Sequence, residues 1–369
     1  MNIEMREKIF VTKSFMPAKE EYFKYIDKIY ENRQLTNQGP LLKDFEAKIS
    51  SYLDVDNFHY VTNGTIALQI ALKASGIESG EIITTPFSYV ATVSSILWQR
   101  CNPVFVDIEA DNFMIDPDKI ESAITDKTRA IMPVHVFGYA CDIEKIQAVA
   151  DKYNLKVIYD AAHAFGTKYK GQSIFKFGDI STLSFHATKL FHTIEGGACV
   201  VKDKKISDKI DLIKRFGHNG DNHYCLGINA KQSEFNAAMG LANFSYIDEI
   251  ISKRKVISEL YDSELINLVK LPEKQKDTDF NYAYYPVVFK SEDELLKVFK
   301  ALNNEEIYPR RYFYPSLNTL SYLNGSQPCP TAEDICSRIA CLPLYPELKE
   351  KDVLRICGII KGILNEKIS

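Results

Sequence analysis

The sequence predicts an α/β fold: a large unit built on a mostly parallel sheet covered on both faces, followed by a smaller α+β unit. Three observations carry this. Between residues 59 and 201, short strand-like runs alternate with helical ones, the pattern of a buried parallel sheet. The stretch Val61-Thr62-Asn63-Gly64-Thr65 passes from strand to amphipathic helix through a tight glycine turn. From about residue 271 the order changes to strand, helix and helix without that alternation. The expected division is a large unit with the N-terminal segment over 1–250 and a small C-terminal unit over 251–369.

In chain order, 18–34 reads as a helix with Tyr22, Ile26, Ile29 and Tyr30 along one side, broken by Thr36-Asn37-Gln38-Gly39-Pro40 before a second helix over 42–53. Strands are expected at 59–62, 81–84, 103–107, 129–134, 156–160, 181–185 and 198–201. Helices are expected to start at Gly64, Tyr89, Pro117 and Asp142. Beyond Lys202 come a helix over 206–216, an irregular polar stretch to about Ser233, and one long helical region over 234–263. The small unit has a strand at 284–289 and helices at 292–301 and 352–364. No internal repeat or low-complexity segment is present.

With 369 residues, 46% of them hydrophobic and 25% charged, the chain is long enough for a large core plus a second unit. A formal charge of -4, from 45 basic and 49 acidic residues, argues against a nucleic-acid protein held by phosphate contacts. The 8 cysteines show no Cys-x-x-Cys spacing and read as buried free thiols in a reducing compartment. The stretch Met1 to Lys8 has no signal-peptide core, and no run approaches the roughly eighteen apolar residues that span a bilayer. A soluble, cytoplasmic protein is expected, with no metal cofactor.

The chemistry centres on Ser184-Phe185-His186-Ala187-Thr188-Lys189-Leu190-Phe191-His192, followed by Glu195-Gly196-Gly197. A lysine amine attacks a carbonyl only when unprotonated, so it must be desolvated or set beside other cations. Lys189 has apolar neighbours and two flanking histidines, although alone it is compatible with an ordinary turn lysine. Upstream, Val157-Ile158-Tyr159-Asp160-Ala161-Ala162-His163 is a strand ending in a carboxylate, where open α/β sheets bind ligands. Asp160 alone is equally compatible with a turn cap. Together a carboxylate and a lysine on one sheet are what pyridoxal phosphate (PLP) requires, one for the ring nitrogen and one for the aldehyde. The Asn63-Gly64-Thr65 helix start then becomes a phosphate cradle.

In these motifs and their order, the chain resembles the DegT-type sugar-nucleotide aminotransferases, PLP-dependent enzymes of the type I (aspartate aminotransferase-like) fold, over nearly its whole length. The resemblance implies that Gly64, Thr65 and Ser184 bind the cofactor phosphate, that Tyr89 stacks on the ring, that Asp160 and His163 meet its nitrogen and phenolate, and that Lys189 is the Schiff-base lysine. It implies that Asn229, in Gly227-Ile228-Asn229-Ala230, reaches the phosphate of a partner subunit, in a homodimer with active sites at the interface. Here Lys231-Gln232 stand where the family has Arg-Met, which removes any bidentate contact made by that arginine. Substrate contacts are expected from Thr36 and Asn37, from His192, and from Arg310, Arg311, Tyr312 and Tyr314 in the arginine- and tyrosine-rich segment between Pro309 and Pro315.

The implied reaction moves the amino group of L-glutamate onto a keto carbon of a nucleotide-linked deoxysugar. The Ser-Phe-His-x-x-Lys and Glu-Gly-Gly forms are those of members acting at sugar carbon 4, which makes dTDP-4-keto-6-deoxy-D-glucose the expected acceptor and dTDP-4-amino-4,6-dideoxy-D-glucose the product, as in O-antigen or lipopolysaccharide synthesis. The alternatives are a carbon-3 aminotransferase and a non-enzymatic regulatory protein. A PLP-dependent sugar dehydratase is disfavoured because that group carries histidine where this chain has Lys189.

Overall fold

The computed structural model of the chain describes residues 7–323 and 327–365; most of the N-terminal stretch read above for a leader lies outside them. The centre is a seven-stranded sheet made, in chain order, of β1 (Phe58–Val61), β2 (Gly80–Thr84), β3 (Cys101–Phe105), β4 (Thr128–Met132), β5 (Lys156–Asp160), β6 (Ile180–Ser184) and β7 (Gly197–Val201). Their spatial order is β1-β7-β6-β5-β4-β2-β3. All neighbours are parallel except β7, which runs against both β1 and β6. Val157, Ile158 and Tyr159 in β5 are all fully buried, which is why this strand reads as a continuous apolar run.

The antiparallel β7 sets the site's geometry. Its first residue, Gly197, lies opposite both Ser184, the last residue of β6, and Val61, the last of β1. The C-terminal ends of β1, β5 and β6 therefore meet at one edge of the sheet. A Cβ on Gly197 would lie 2.3 Å from the backbone carbon of Asn63, so only glycine allows the turn after β1 to close over β7.

Helices α1 (Lys19–Asn32), α2 (Pro40–Leu53), α3 (Gly64–Ala74), α4 (Ala91–Trp98), α5 (Ile143–Tyr153) and α6 (Lys204–Ile213) surround the sheet. Asn63 caps α3 by accepting from the Ile66 amide at 2.9 Å, and Asp142 caps α5 in the same way through Lys145. The helix expected at Pro117 is a single turn, Pro117–Ile120, continued by a 3-10 turn. The long helical region expected over 234–263 is two helices, α7 (Glu234–Phe244) and α8 (Ile247–Leu265). Nothing in Ser245-Tyr246 forbids a helix. Packing makes the break: α7 lies against α1 and α2, with Gly240 pressed on the Phe45 ring, whereas α8 leaves toward the second unit.

That unit pairs β8 (Tyr285–Val288) antiparallel with β9 (Ile339–Leu342), beside α9 (Glu292–Asn304) and α11 (Glu350–Asn365), while α10 (Pro330–Arg338) buries Ala332, Ile335 and Cys336 in the core of the large sheet. Neither α10 nor β9 stands out in the sequence, because a four-residue strand directly after a nine-residue helix leaves no turn signal between them. Along α8, Ile247 and Ile250 belong to the core of the large sheet, while Ile257, Tyr261 and Leu265 belong to the core of the small unit. Ile9 also packs in the small unit's core, since Ile9–Phe10 pairs parallel with Ile307–Tyr308. All eight cysteines are free; seven are buried and Cys225 is exposed. No described helix is long and apolar enough to cross a membrane.

Candidate active site

Between β6 and β7 the chain forms a compact loop that presents Lys189. The Lys189 amide donates to the His186 carbonyl at 2.8 Å, closing a turn, and the Thr193 amide donates back to Phe185 at 2.9 Å. Phe185 and Phe191 turn into the core against Phe45 and Phe165, so the loop is anchored by its aromatic residues. The N-terminal arm holds it from outside, as Ser14 donates to the Ala187 carbonyl at 2.7 Å. The Lys189 amine is left facing inward, 3.3 Å from the hydroxyl of Tyr284. Burial lowers this amine to about 8, with Arg310 adding to the effect and Asp160 and Tyr89 opposing it.

Asp160 ends β5 and is 5% exposed. Thr92, fully buried in α4, donates to its Oδ2 at 2.7 Å, and the Ala162 amide donates to its Oδ1 at 3.2 Å. Burial nevertheless outweighs these bonds and Lys189, pushing the carboxyl up from its ordinary range. No lysine or arginine forms an ion pair with it among the described residues. His163 is also buried, and its Nδ1 accepts from the Phe137 amide at 3.1 Å. That bond assigns the ring proton to Nε2. Burial holds His163 well below the ordinary histidine range, so it is neutral and a donor through Nε2.

The third corner is the start of α3. With the Asn63 side chain on the Ile66 amide, the helix starts at Gly64, beside Ser184 at the end of β6, and the amides of its first residues have no partner within the helix. A Cβ on Gly64 would lie 3.1 Å from Cβ of Ser184 and 3.3 Å from the Leu183 carbonyl; its absence keeps this corner open to an anion. Tyr89, before α4, is 58% exposed and close enough to Lys189 to act on its amine. A buried carboxylate lacking an ion-pair partner, a neutral imidazole donor, an inward lysine and a helix start beside a serine are together a donor set that fits a phosphorylated pyridine aldehyde.

The other expected residues divide. His192 is displaced from the site: it is 2% exposed, its Nε2 donates to the Phe15 carbonyl at 2.7 Å and its Nδ1 accepts from the Ile194 amide at 3.2 Å. With both ring nitrogens on backbone, it fixes the loop and offers nothing to a substrate. Arg311 is likewise committed, donating to Glu292 at 2.7 Å and to the Ser337 carbonyl at 2.6 Å, with its guanidinium over the Tyr314 ring. Arg310 differs: it is exposed, stacks on Tyr312 at 5.2 Å, and has no carboxylate partner among the described residues. Tyr312 meets the Tyr284 ring edge-on at 5.1 Å, whereas Tyr314 is half exposed on the outer side.

Thr36, Asn37 and Asn229 are all exposed, and no described contact ties them to Lys189 or Asp160. The 34–39 turn is held instead near α6 and α7, through Gln38 to Asp211 and through the Leu35 carbonyl to Glu234. Gln232, where the family has methionine, donates to the Thr62 and Glu195 carbonyls and braces that backbone, while Lys231, at the arginine position, lies over the Phe216 ring. His135, set aside in the sequence, is fully buried and stacked on Tyr159. Sequence reading missed Thr92, Tyr284 and Asn281. Of these, only Thr92 carried a signal, as a hydroxyl in the first turn of a helix at a strand end. Among the described residues, no group of His, Cys, Asp or Glu is placed to hold a metal ion.

Residues 17–361 match the DegT/DnrJ/EryC1/StrS aminotransferase family. A dTDP-4-amino-4,6-dideoxy-D-glucose transaminase of Shigella dysenteriae is 42% identical over 97% of this chain and 100% of its own. A protein of the same name from Escherichia coli is 39% identical over 95% of this chain and 98% of its own. Among solved structures, DesI with its TDP-sugar product superposes with a TM-score of 0.93 at 28% identity, over 98% of this chain and 94% of that one. Spr1654 of Streptococcus pneumoniae in its PLP form gives 0.89 at 25% identity, over 97% and 100%.

Proposed function

Because the chain belongs to the DegT/DnrJ/EryC1/StrS aminotransferase family, as a PLP-dependent sugar-nucleotide aminotransferase, we propose that it aminates carbon 4 of dTDP-4-keto-6-deoxy-D-glucose. L-Glutamate is the donor and dTDP-4-amino-4,6-dideoxy-D-glucose the product. The observation that carries the substrate is the likeness to the Shigella transaminase along the full length of both chains.

When bound, PLP supplies an aldehyde that takes up an amino group and a ring that accepts electron density from the neighbouring carbon. Lys189 Nζ would hold the aldehyde end; its amine, when free, is the group placed to take the proton from the donor's α-carbon and to give one back. An amine lowered to about 8 suits both directions near neutral pH. Asp160, braced by Thr92 and the Ala162 amide, would hold a proton on the ring nitrogen, a cationic partner for its buried carboxylate. His163 would donate through Nε2 to the ring oxygen. Gly64, Thr65 and Ser184 would bind the phosphate, and Tyr89 would cover the ring face.

On the substrate side, Arg310 meets the diphosphate and Tyr312 the sugar, with Tyr314 at the outer rim; Thr36 and Asn37, not tied to Lys189 or Asp160 within this chain, act at the subunit interface. The 1–250 and 251–369 units enclose this cleft, in a cytoplasmic homodimer. The dimer reading is supported by exposed apolar side chains, Trp98 at 78% and Leu226 at 77%, lining a groove of about 410 Å³ with Gly227 and Ile228. Asn229 follows directly and serves the partner's cofactor phosphate.

The test is to incubate the enzyme, PLP and L-glutamate with dTDP-4-keto-6-deoxy-D-glucose and analyse the products by mass spectrometry. An amino sugar nucleotide is expected. Its absence, with turnover of the 3-keto isomer, would move the reaction to carbon 3.

A further inference from the structure

Tyr284 lies 95 residues from Lys189 in sequence, yet among the described residues its hydroxyl is the one group that the Lys189 amine donates to, at 3.3 Å. The segment that delivers it is pinned rather than loose. Asn281, 1% exposed, donates to the carbonyls of His163 and Phe165 at 2.8 and 2.9 Å and accepts from the Ala283 amide at 3.0 Å. Gly138 leaves room for it, since a Cβ there would lie 2.3 Å from Asn281 Oδ1. From the other side Arg254, buried in α8, donates to the Ala283 carbonyl at 3.0 Å. Both backbone groups of Ala283 are thus held, the amide by Asn281, which is itself tied to the loop that carries His163, and the carbonyl by Arg254 of α8. The next residue lays its ring 4.5 Å from the His163 ring. Apolar packing alone does not need a side-chain amide and a buried guanidinium to set one tyrosine.

We propose that Tyr284 holds the Lys189 amine whenever that amine is not bonded to the cofactor, and so positions the proton it carries. The proposal rests on the reading of Lys189 as proton carrier. Burial pushes the Tyr284 phenol up, so it stays protonated and offers Lys189 a lone pair rather than a charge. The amine is also faced by Asp160 at the end of β5, by Tyr89 before α4 and by Arg310 from the Pro309 to Pro315 segment. The phenol is faced by Cys341, Tyr312, Arg254 and Arg310. Without its hydroxyl, the ammonium form of Lys189 loses its acceptor while every other neighbour remains. The amine then becomes easier to deprotonate and freer to swing.

Tyr284→Phe removes only that oxygen and keeps the ring on His163. In cofactor-free protein, the pH profile of Lys189 acetylation, read by peptide mass spectrometry, should shift down by about half to one pH unit relative to wild type. In the loaded enzyme kcat should fall about tenfold with KM for the sugar nucleotide changed less than about twofold. Asn281→Ala, which frees the segment, should shift the labelling profile in the same direction. An unchanged labelling profile in Tyr284→Phe, or a raised KM with kcat retained, overturns the proposal. The underlying reading is checked separately: amino-sugar formation that survives in Lys189→Ala within tenfold of wild type sinks that reading, whatever Tyr284→Phe does.

Discussion

The two walls of the cleft are built in opposite ways. On the strand-end wall, Asp160, Thr92 and His163 are buried, and each holds a hydrogen bond in a fixed direction. On the facing wall, formed by the Pro309 to Pro315 segment, Arg310 is exposed and held mainly by its backbone, which exchanges bonds with Cys341 at 3.1 and 2.8 Å. The first wall is preorganised around one rigid ligand, at the cost of a buried carboxylate. The second leaves Arg310 exposed over the Tyr312 ring, where on our proposal the sugar nucleotide binds. Substitutions on the first wall should therefore act on chemistry, and those on the second on substrate affinity.

The largest expected effect is at Lys189. Lys189→Ala should lower the rate of amino-sugar formation by about a thousandfold or more, measured by product analysis under saturating donor. Residual activity within tenfold of wild type would remove the lysine from the chemistry. Asp160→Asn should cost about a hundredfold in kcat, yet leave the cofactor-free protein no less stable to heat. The sign follows from burial: a carboxyl pushed up in the fold stabilises it at low pH, and that contribution is lost as pH rises through the raised value. At neutral pH the ionised group is a burden that Asn relieves, and a melting temperature well below wild type would contradict this.

The arginine pair sharpens the contrast between affinity and stability. Arg310→Ala should raise KM for the sugar nucleotide about tenfold with the melting temperature unchanged. Arg311→Ala should do the reverse, lowering the melting temperature by a few degrees, of the order of one lost charged hydrogen bond, with KM nearly retained. If the two variants behave alike, the division between walls fails. The smallest effect concerns pH: the rate at which cofactor-free enzyme takes up PLP should rise as pH passes through about 8 and level off above, because only the neutral Lys189 amine reacts. A flat profile between pH 6 and 9 would contradict the lowered amine.

What the sequence could reveal follows the same line. Asp160 and Lys189 were readable only as a pair: each alone fits an ordinary turn, but a carboxylate ending one strand and a lysine following another, with a glycine helix start upstream, match in order what one cofactor needs. Arg310 and Arg311 are indistinguishable in sequence; only the fold puts Glu292 and the Ser337 carbonyl beside the second. His192 read as a flanking histidine because nothing local shows that residues 15 and 194 use both its nitrogens. Tyr284 was hidden in Tyr282-Ala283-Tyr284-Tyr285, a run indistinguishable from the core strand it leads into. Its meaning comes from contacts with residues 163 and 189, far away in the chain. The break between α7 and α8 was invisible for a related reason, since it arises from what each helix packs on.

The most direct trial of the account is to load the protein with PLP, reduce it with borohydride, digest it and locate the modified residue by mass spectrometry. The cofactor should be found on the peptide containing Lys189, and in Asp160→Asn on that same peptide. A label on any other lysine of the wild-type protein, or none at all, would contradict the assignment.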